Sequence, residues 1–354
     1  MTKIVNQIVP YNDIWLDCFS NNLISTLISR SETSRMLPLA MEASYIKMLT
    51  DQHYDSENDR RTMLTGGNLF PTVEYSSDII KDHFEIRYKE YQEYKEIIES
   101  LKSSLADGLS TFLMIDRYFY PSGREAGTLH LAHSVFILGY DDDKNMFHAI
   151  EDCVTLGVLS YYDIPYESVE RSCQYFLKQG KPLLLTTCRP LELSLHNIAE
   201  NTKDAAMKMI ANLFDETTSY NTQYNLHFYS GLKALRKFQE EMDYLFTHLS
   251  EMSLSFVALF LLRFPQLHGR NQQLVRFLNE SGYLHDSDCS ALVENYKLLQ
   301  LHWTNYKNRS YYFFEKRGSE AGKNSELILS LSKRLVEIIE LELATAQKFK
   351  DAMI

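Results

Sequence analysis

Residues 105–152 read LADGLSTFLMIDRYFYPSGREAGTLHLAHSVFILGYDDDKNMFHAIED. The stretch predicts three strands joined by two turns. Residues 111–118 are an apolar, aromatic run that stops at Pro121, Ser122 and Gly123, where a strand gives way to a loop. His133 opens a second run, SVFIL, which ends at Gly139. Asp141, Asp142, Asp143, Lys144 and Asn145 supply a polar turn, and residues 146–150 a third strand, with Asp152 just past its end. A histidine thus begins one strand of a hairpin and an aspartate ends the next, so pairing of the two strands returns Asp152 to the neighbourhood of His133. An imidazole oriented by a carboxylate is the base half of a nucleophilic triad.

The missing nucleophile is found upstream. Asn12-Asp13-Ile14-Trp15-Leu16-Asp17-Cys18 leads into apolar positions Phe19, Leu23, Ile24, Leu27 and Ile28 at helical spacing. Cys18 falls in the first turn of that helix, where backbone amides point outward and the dipole favours a thiolate. Asn12, six residues earlier, is a candidate side-chain donor to an oxyanion. A cysteine at the start of an apolar helix is usually core, and a histidine before a strand is usually structural. It is their order, together with the carboxylate at the next strand end, that points to chemistry. Cys, His, Asp is the chain order of papain-like enzymes, in which one lobe supplies the helix and the other the sheet.

The runs DGLSTFLMIDRYFYP (107–121), AHSVFILGYDDD (132–143) and MFHAIED (146–152) resemble the butirosin biosynthesis protein H N-terminal-like family, papain-like proteins related to the C39 cysteine peptidases. The resemblance covers residues 10–190 and is most specific at 133–143, the pattern His-x5-Gly-Tyr-Asp-Asp. Many relatives have Asp-Pro where this chain has Asp152-Cys153, which leaves Glu151 as a rival orienter of the histidine. The resemblance implies an α+β, papain-like fold: an N-terminal helix plus an antiparallel sheet. It implies a catalytic set of Cys18, His133 and Asp152, with the Cys18 amide and Asn12 serving the oxyanion. The implied activity is a cysteine-dependent acyl transfer in natural-product biosynthesis. An acyl, aminoacyl or peptidyl group would pass from a carrier-protein thioester to an amine acceptor through an acyl-Cys18 intermediate. Phosphopantetheine would arrive on the carrier protein, and no cofactor or metal of the chain's own is expected. A cysteine hydrolase (peptidase or thioesterase) with the same residues, and a non-catalytic binding module, are the alternatives.

The whole chain sets bounds on these readings. Its 354 residues suffice for two domains. A formal net charge of −11 argues against nucleic acid as a partner, because phosphate binding needs a basic face. An acidic carrier protein would need a local basic face, for which Lys233, Arg236 and Lys237, or Arg263, Arg270 and Arg276, are candidates. The five cysteines show no metal spacing and fit reduced thiols better than a disulfide framework. The start MTKIVNQIVPYND lacks the apolar core of a secretory signal, and no apolar run approaches a membrane span; a cytoplasmic chain is expected.

Along the chain, residues 85–105 read as a surface helix, 160–164 as a strand, 166–179 as a helix stopped by Gly180, and 183–187 as a strand. Strand signals then fade. Residues 195–214, 229–248, 252–264, 270–281, 290–315 and 325–351 read as helices. The expected division is a papain-like domain over 1–190 and an all-α domain over 191–354.

Overall fold

The computed structural model of the chain describes residues 3–49, 70–192, 198–215, 217–221, 226–248, 251–316 and 324–353. A polar loop expected at residues 55–61 and a turn at Gly66 and Gly67 lie outside them. The fold is α+β, and its sheets are antiparallel. Strands in chain order are β1 (Lys3–Val5), β2 (Ala43–Met48), β3 (Thr72–Tyr75), β4 (Phe84–Tyr91), β5 (Ser110–Asp116), β6 (Ala132–Asp141), β7 (Met146–Glu151), β8 (Ser160–Pro165), β9 (Leu183–Pro190), β10 (Thr218–Asn221) and β11 (Leu226–Ser230). Helices are α1 (Cys18–Ile28), α2 (Asp78–Lys81), α3 (Tyr94–Ala106), α4 (Tyr166–Lys178), α5 (Ile198–Phe214), α6 (Gly231–His248), α7 (Glu251–Glu280), α8 (Asp286–Lys316) and α9 (Asn324–Ala352). Among the described residues no helix is long and apolar enough to cross a membrane.

The chain forms two compact units, Met1–Leu37 with Ser77–His196, and Pro38–Ser76 with Asn197–Ile354. The first holds a seven-stranded sheet in the order β4-β9-β5-β6-β7-β8, with β1 added onto β6. Alternation along the strands divides its side chains between two faces. Leu113, Ile115, Val135, Ile137, Phe147 and Ala149 join Ile97, Leu101 and Leu105 of α3 and Val169, Cys173 and Phe176 of α4 in one core. On β5 and β6 the intervening Phe112 and Phe136 pack with tilted rings, centroids 4.9 Å apart, and Phe19 of α1 lies 4.5 Å from Phe112. The helix α1 is thus seated on the ring that alternation sends away from α3 and α4. The hairpin β6–β7 turns through Asn145, whose φ of 53° is the left-handed conformation that asparagine tolerates in tight turns.

Gly139 has a separate reason to be glycine. Lys3, Ile4 and Val5 pair with Asp141, Tyr140 and Gly139, and a Cβ on Gly139 would run into the Ile4 carbonyl oxygen. The glycine of His-x5-Gly is therefore the opening through which β1 docks.

Four expectations are corrected. Residues 84–91 are an edge strand rather than the start of a helix: FEIRYKEY buries Phe84 and Tyr91 at its ends and exposes the charged residues between them, as unpaired edges require. The second unit is not all-α, since β10-β11-β2-β3 form a sheet within it. Residues 38–76 belong to that unit and not to a domain ending at 190, because β2 pairs with β11 through Ile46↔Ser230, Lys47↔Tyr229 and Met48↔Phe228. Finally, α7 runs unbroken through Pro265 and Gly269. Proline removes one helical hydrogen bond, yet Leu261, Phe264, Leu267, Leu274, Val275 and Leu278 keep one buried stripe across it.

In the same unit Arg270, only 1% exposed, donates to the carbonyl oxygens of Pro38 (2.9 Å), Leu39 (3.0 Å) and Met41. Arg263 donates to the Val73 carbonyl at 2.9 Å. The basic face expected from Arg263, Arg270 and Arg276 is therefore not one face, because Arg270 serves the interior of its own unit. Buried Glu342 accepts from Tyr45 Oη (2.8 Å) and Trp303 Nε1 (2.9 Å) and lies 2.9 Å from His268 Nε2.

Candidate active site

The lead-in to α1 is irregular, and its backbone polar groups need partners. Buried side chains of α1 supply them. Asn21 accepts from the Leu16 amide (2.9 Å) and donates to the Tyr11 and Ile14 carbonyls (3.2 and 2.9 Å), while Ser25 Oγ accepts from the Tyr11 amide at 2.9 Å. Asp17 caps the helix, its Oδ1 accepting from Ser20 N at 2.8 Å. Cys18, the first residue of α1, is thereby fixed and partly buried.

His133 is the second residue of β6, opposite Ile115 of β5. The β6–β7 register, Ile137↔Ala149 and Phe136↔Ile150, carries residue 152 to a point beside residues 133 and 134. One ligand-type atom each of Cys18, His133 and Asp152 lie within 4.8 Å of one another. The structure thus brings together three residues that the sequence separates by 115 and 19 positions. His133 Nε2 is buried without a hydrogen-bond partner among the described residues.

A fourth residue organises the cluster, and the sequence reading missed it. Arg117, 3% exposed, follows β5 in a 3-10 helix, Arg117–Phe119. Its Nη2 donates to Glu151 Oε2 and to Asp152 Oδ1, and Nη1 lies 3.9 Å from Glu125 Oε2. Arg124 Nη2 is 3.3 Å from Glu125 and 4.0 Å from Asp152 Oδ2. Glu151 also accepts from Tyr120 Oη (3.0 Å) and from the Asp152 amide (3.0 Å), and its Oε2 lies 3.8 Å from His133 Nε2. Both carboxylates therefore attend the histidine, and Arg117 ties them together. The available signal was an arginine inside an apolar run, which must find carboxylates if the run is buried.

The electrostatics follow from this packing. Burial pushes the Cys18 thiol well above its ordinary value, and the Asp152 and Glu151 charges push it further against the pull of Arg117. Burial, aided by Arg117, lowers His133 to about 3. Burial raises Glu151 to about 7, with Asp152 adding to the effect and Arg117 opposing it. Burial alone would raise Asp152 too, but the charge and hydrogen bond of Arg117 hold it below the usual carboxylate range. At neutral pH the resting pair is a neutral thiol beside a neutral imidazole.

Asn12 has a different task from the one expected. Its Nδ2 donates to the Leu159 carbonyl (2.9 Å) and its Oδ1 accepts from the Leu159 amide (2.8 Å). This clasp holds the segment before α1 against the loop before β8, and both polar ends of the Asn12 side chain are engaged by Leu159. His130 Nδ1 lies 2.7 Å from buried Asp116, with its ring stacked between Tyr118 and Tyr175 at 4.1 and 4.3 Å. His148 makes a cross-strand pair with Asp163, its Nδ1 2.6 Å from Asp163 Oδ1. In the Asp141 to Asp143 run, Asp141 pairs with Lys3 and Asp142 with Lys102.

Comparison with models of known protein families finds no match, and none is found among curated proteins.

Proposed function

We propose that the chain is a cysteine-dependent acyltransferase of papain-like design, related to the butirosin biosynthesis protein H family. The observation that carries this reading is the convergence of Cys18, His133 and Asp152 at the start of one helix and the ends of two paired strands. His133, neutral and with Nε2 unpartnered, accepts the thiol proton as the sulfur attacks an acyl thioester. Because the thiol rests protonated, proton transfer accompanies attack rather than preceding it. Amides at the α1 start receive the oxyanion. Collapse expels the carrier's pantetheine thiol, which takes the proton from His133 and leaves acyl-Cys18. An amine then attacks the acyl carbon; His133 takes its proton as the C–S bond breaks and passes it to the Cys18 sulfur, giving an amide and the resting thiol. Asp152 and Glu151, held by Arg117, offset the transient imidazolium charge.

The test is intact-protein mass spectrometry after incubation with acyl-pantetheine thioesters in chelator-containing buffer. Wild type is expected to gain the acyl mass and Cys18→Ala to gain none. Added amines that discharge the adduct as amides identify a transferase, and discharge by water alone identifies a hydrolase. An adduct that persists in Cys18→Ala, or none from any donor, overturns the reading and leaves a binding module.

A further inference from the structure

The cluster that serves a nucleophile also has the composition of a metal site. We propose that Cys18, His133 and Asp152 form a three-ligand site for a zinc-type divalent cation, and that occupancy takes the thiol out of acyl chemistry. The silencing rests on the acyl-Cys18 reading, whereas the ion binding does not.

Three observations carry the inference. First, a sulfur, an imidazole nitrogen and a carboxylate oxygen lie within 4.8 Å of one another. Zinc bonds of about 2.0–2.3 Å place tetrahedral ligands roughly 3.5 Å apart, so a closure of about 1 Å by side-chain rotation completes the set. Second, His133 Nε2 is buried with no hydrogen-bond partner, an unfilled role that a cation fills. Third, Arg117 takes Asp152 Oδ1 by a hydrogen bond, whereas Oδ2 has the Gly157 amide at 3.4 Å and Arg124 at 4.0 Å. Oδ2 is thus the less tightly held of the two oxygens, and the Cys18 thiol already hydrogen-bonds this carboxylate.

Glu125, Glu151 and Asp152 face Arg117 and Arg124, so an entering cation meets carboxylates already shared with two guanidinium groups. The donors select the ion: one thiol and one imidazole suit zinc or cobalt, while calcium and magnesium require oxygen sets. Three protein ligands leave a fourth position open. On binding, the S–H bond breaks, its electron pair forms the metal–sulfur bond, and the proton passes to buffer; metal-bound waters are released and nothing is oxidised or reduced. The sequence shows no metal spacing because the ligands come from three separate segments.

The test uses the full chain, reduced and stripped with chelator, titrated with Co2+ and then with Zn2+ against a chromogenic chelator. Wild type and Cys188→Ala, a buried cysteine on β9, are expected to bind one equivalent with a thiolate-to-cobalt absorption band. Cys18→Ser is expected to lose the band. Cys18→Ser, His133→Gln and Asp152→Asn should each bind Zn2+ at least tenfold more weakly. An unchanged band in Cys18→Ser, or no stoichiometric binding by wild type, overturns the proposal. Should a variant lose its fold by circular dichroism, wild type alone decides: saturating Zn2+ must protect Cys18 from an alkylating reagent, as read by peptide mass. Acyl loading without metal binding sinks this inference and spares the proposed function; metal binding without acyl loading does the reverse.

Discussion

Arg117 holds two carboxylates that would otherwise repel each other inside the protein. Breaking such a buried arrangement by removing one partner typically costs about 3–5 kcal/mol, because charges are left unpaired in low dielectric. Arg117→Met is expected to lose stability of that order in urea unfolding, while His148→Gln, altering a cross-strand pair at a largely exposed Asp163, loses less than about 1 kcal/mol. Glu151 yields a pH prediction. Its folded value near 7 lies above the ordinary 4.5, so between these values the folded chain keeps a proton that the unfolded chain has released. The resulting stabilisation is complete below about pH 4.5 and is lost as pH rises through 7, amounting to about 3 kcal/mol. In chelator-containing buffer, wild type minus Glu151→Gln stability should decline over that window; a flat difference removes Glu151 as the titrating group. The approach of Cys18, His133 and Asp152 to one another was legible in the sequence because helix start, strand start and strand end are local patterns. The place of Arg117 was not, since nothing near it in the chain names its partners, nor was the Asn12 clasp on Leu159, because an amide near a candidate nucleophile looks the same whether it faces a substrate or a backbone.

At the scale of elements, the docking of β1 depends on one missing methyl group. Gly139→Ala places a Cβ against the Ile4 carbonyl, and the strand must move away or β6 must bend. Overpacking of this kind costs about 1–3 kcal/mol. The variant is expected to melt earlier and to release the N-terminal segment to protease before the rest of the chain; unaltered cleavage would remove the contact from the account. Elements that were misread share a cause. Residues 84–91 mix Lys, Glu and Tyr in a way that suits a helix face or an edge strand, and only pairing with β9 decides between them. The α7 helix crosses Pro265 because a continuous buried stripe outweighs one lost hydrogen bond. The β6–β7 hairpin was read correctly, since alternation, a polar turn and a second alternating run suffice to define it.

For the whole molecule, the decisive pairing is between β2 and β11, more than 170 residues apart, which no local pattern announces. A fragment ending at residue 190 keeps β2 and β3 but loses β10, β11 and the Glu241 partner of buried Lys47. That fragment is expected to aggregate through the opened edge of β2, as read by size-exclusion chromatography. A monodisperse, folded fragment would contradict the division into units. The chain passes between its two units three times, at residues 37, 76 and 196. A stretch of gene long enough to encode either unit therefore also encodes part of the other. Recombination can transplant both or neither, and the cysteine cluster and the helices that follow it are inherited as a single character.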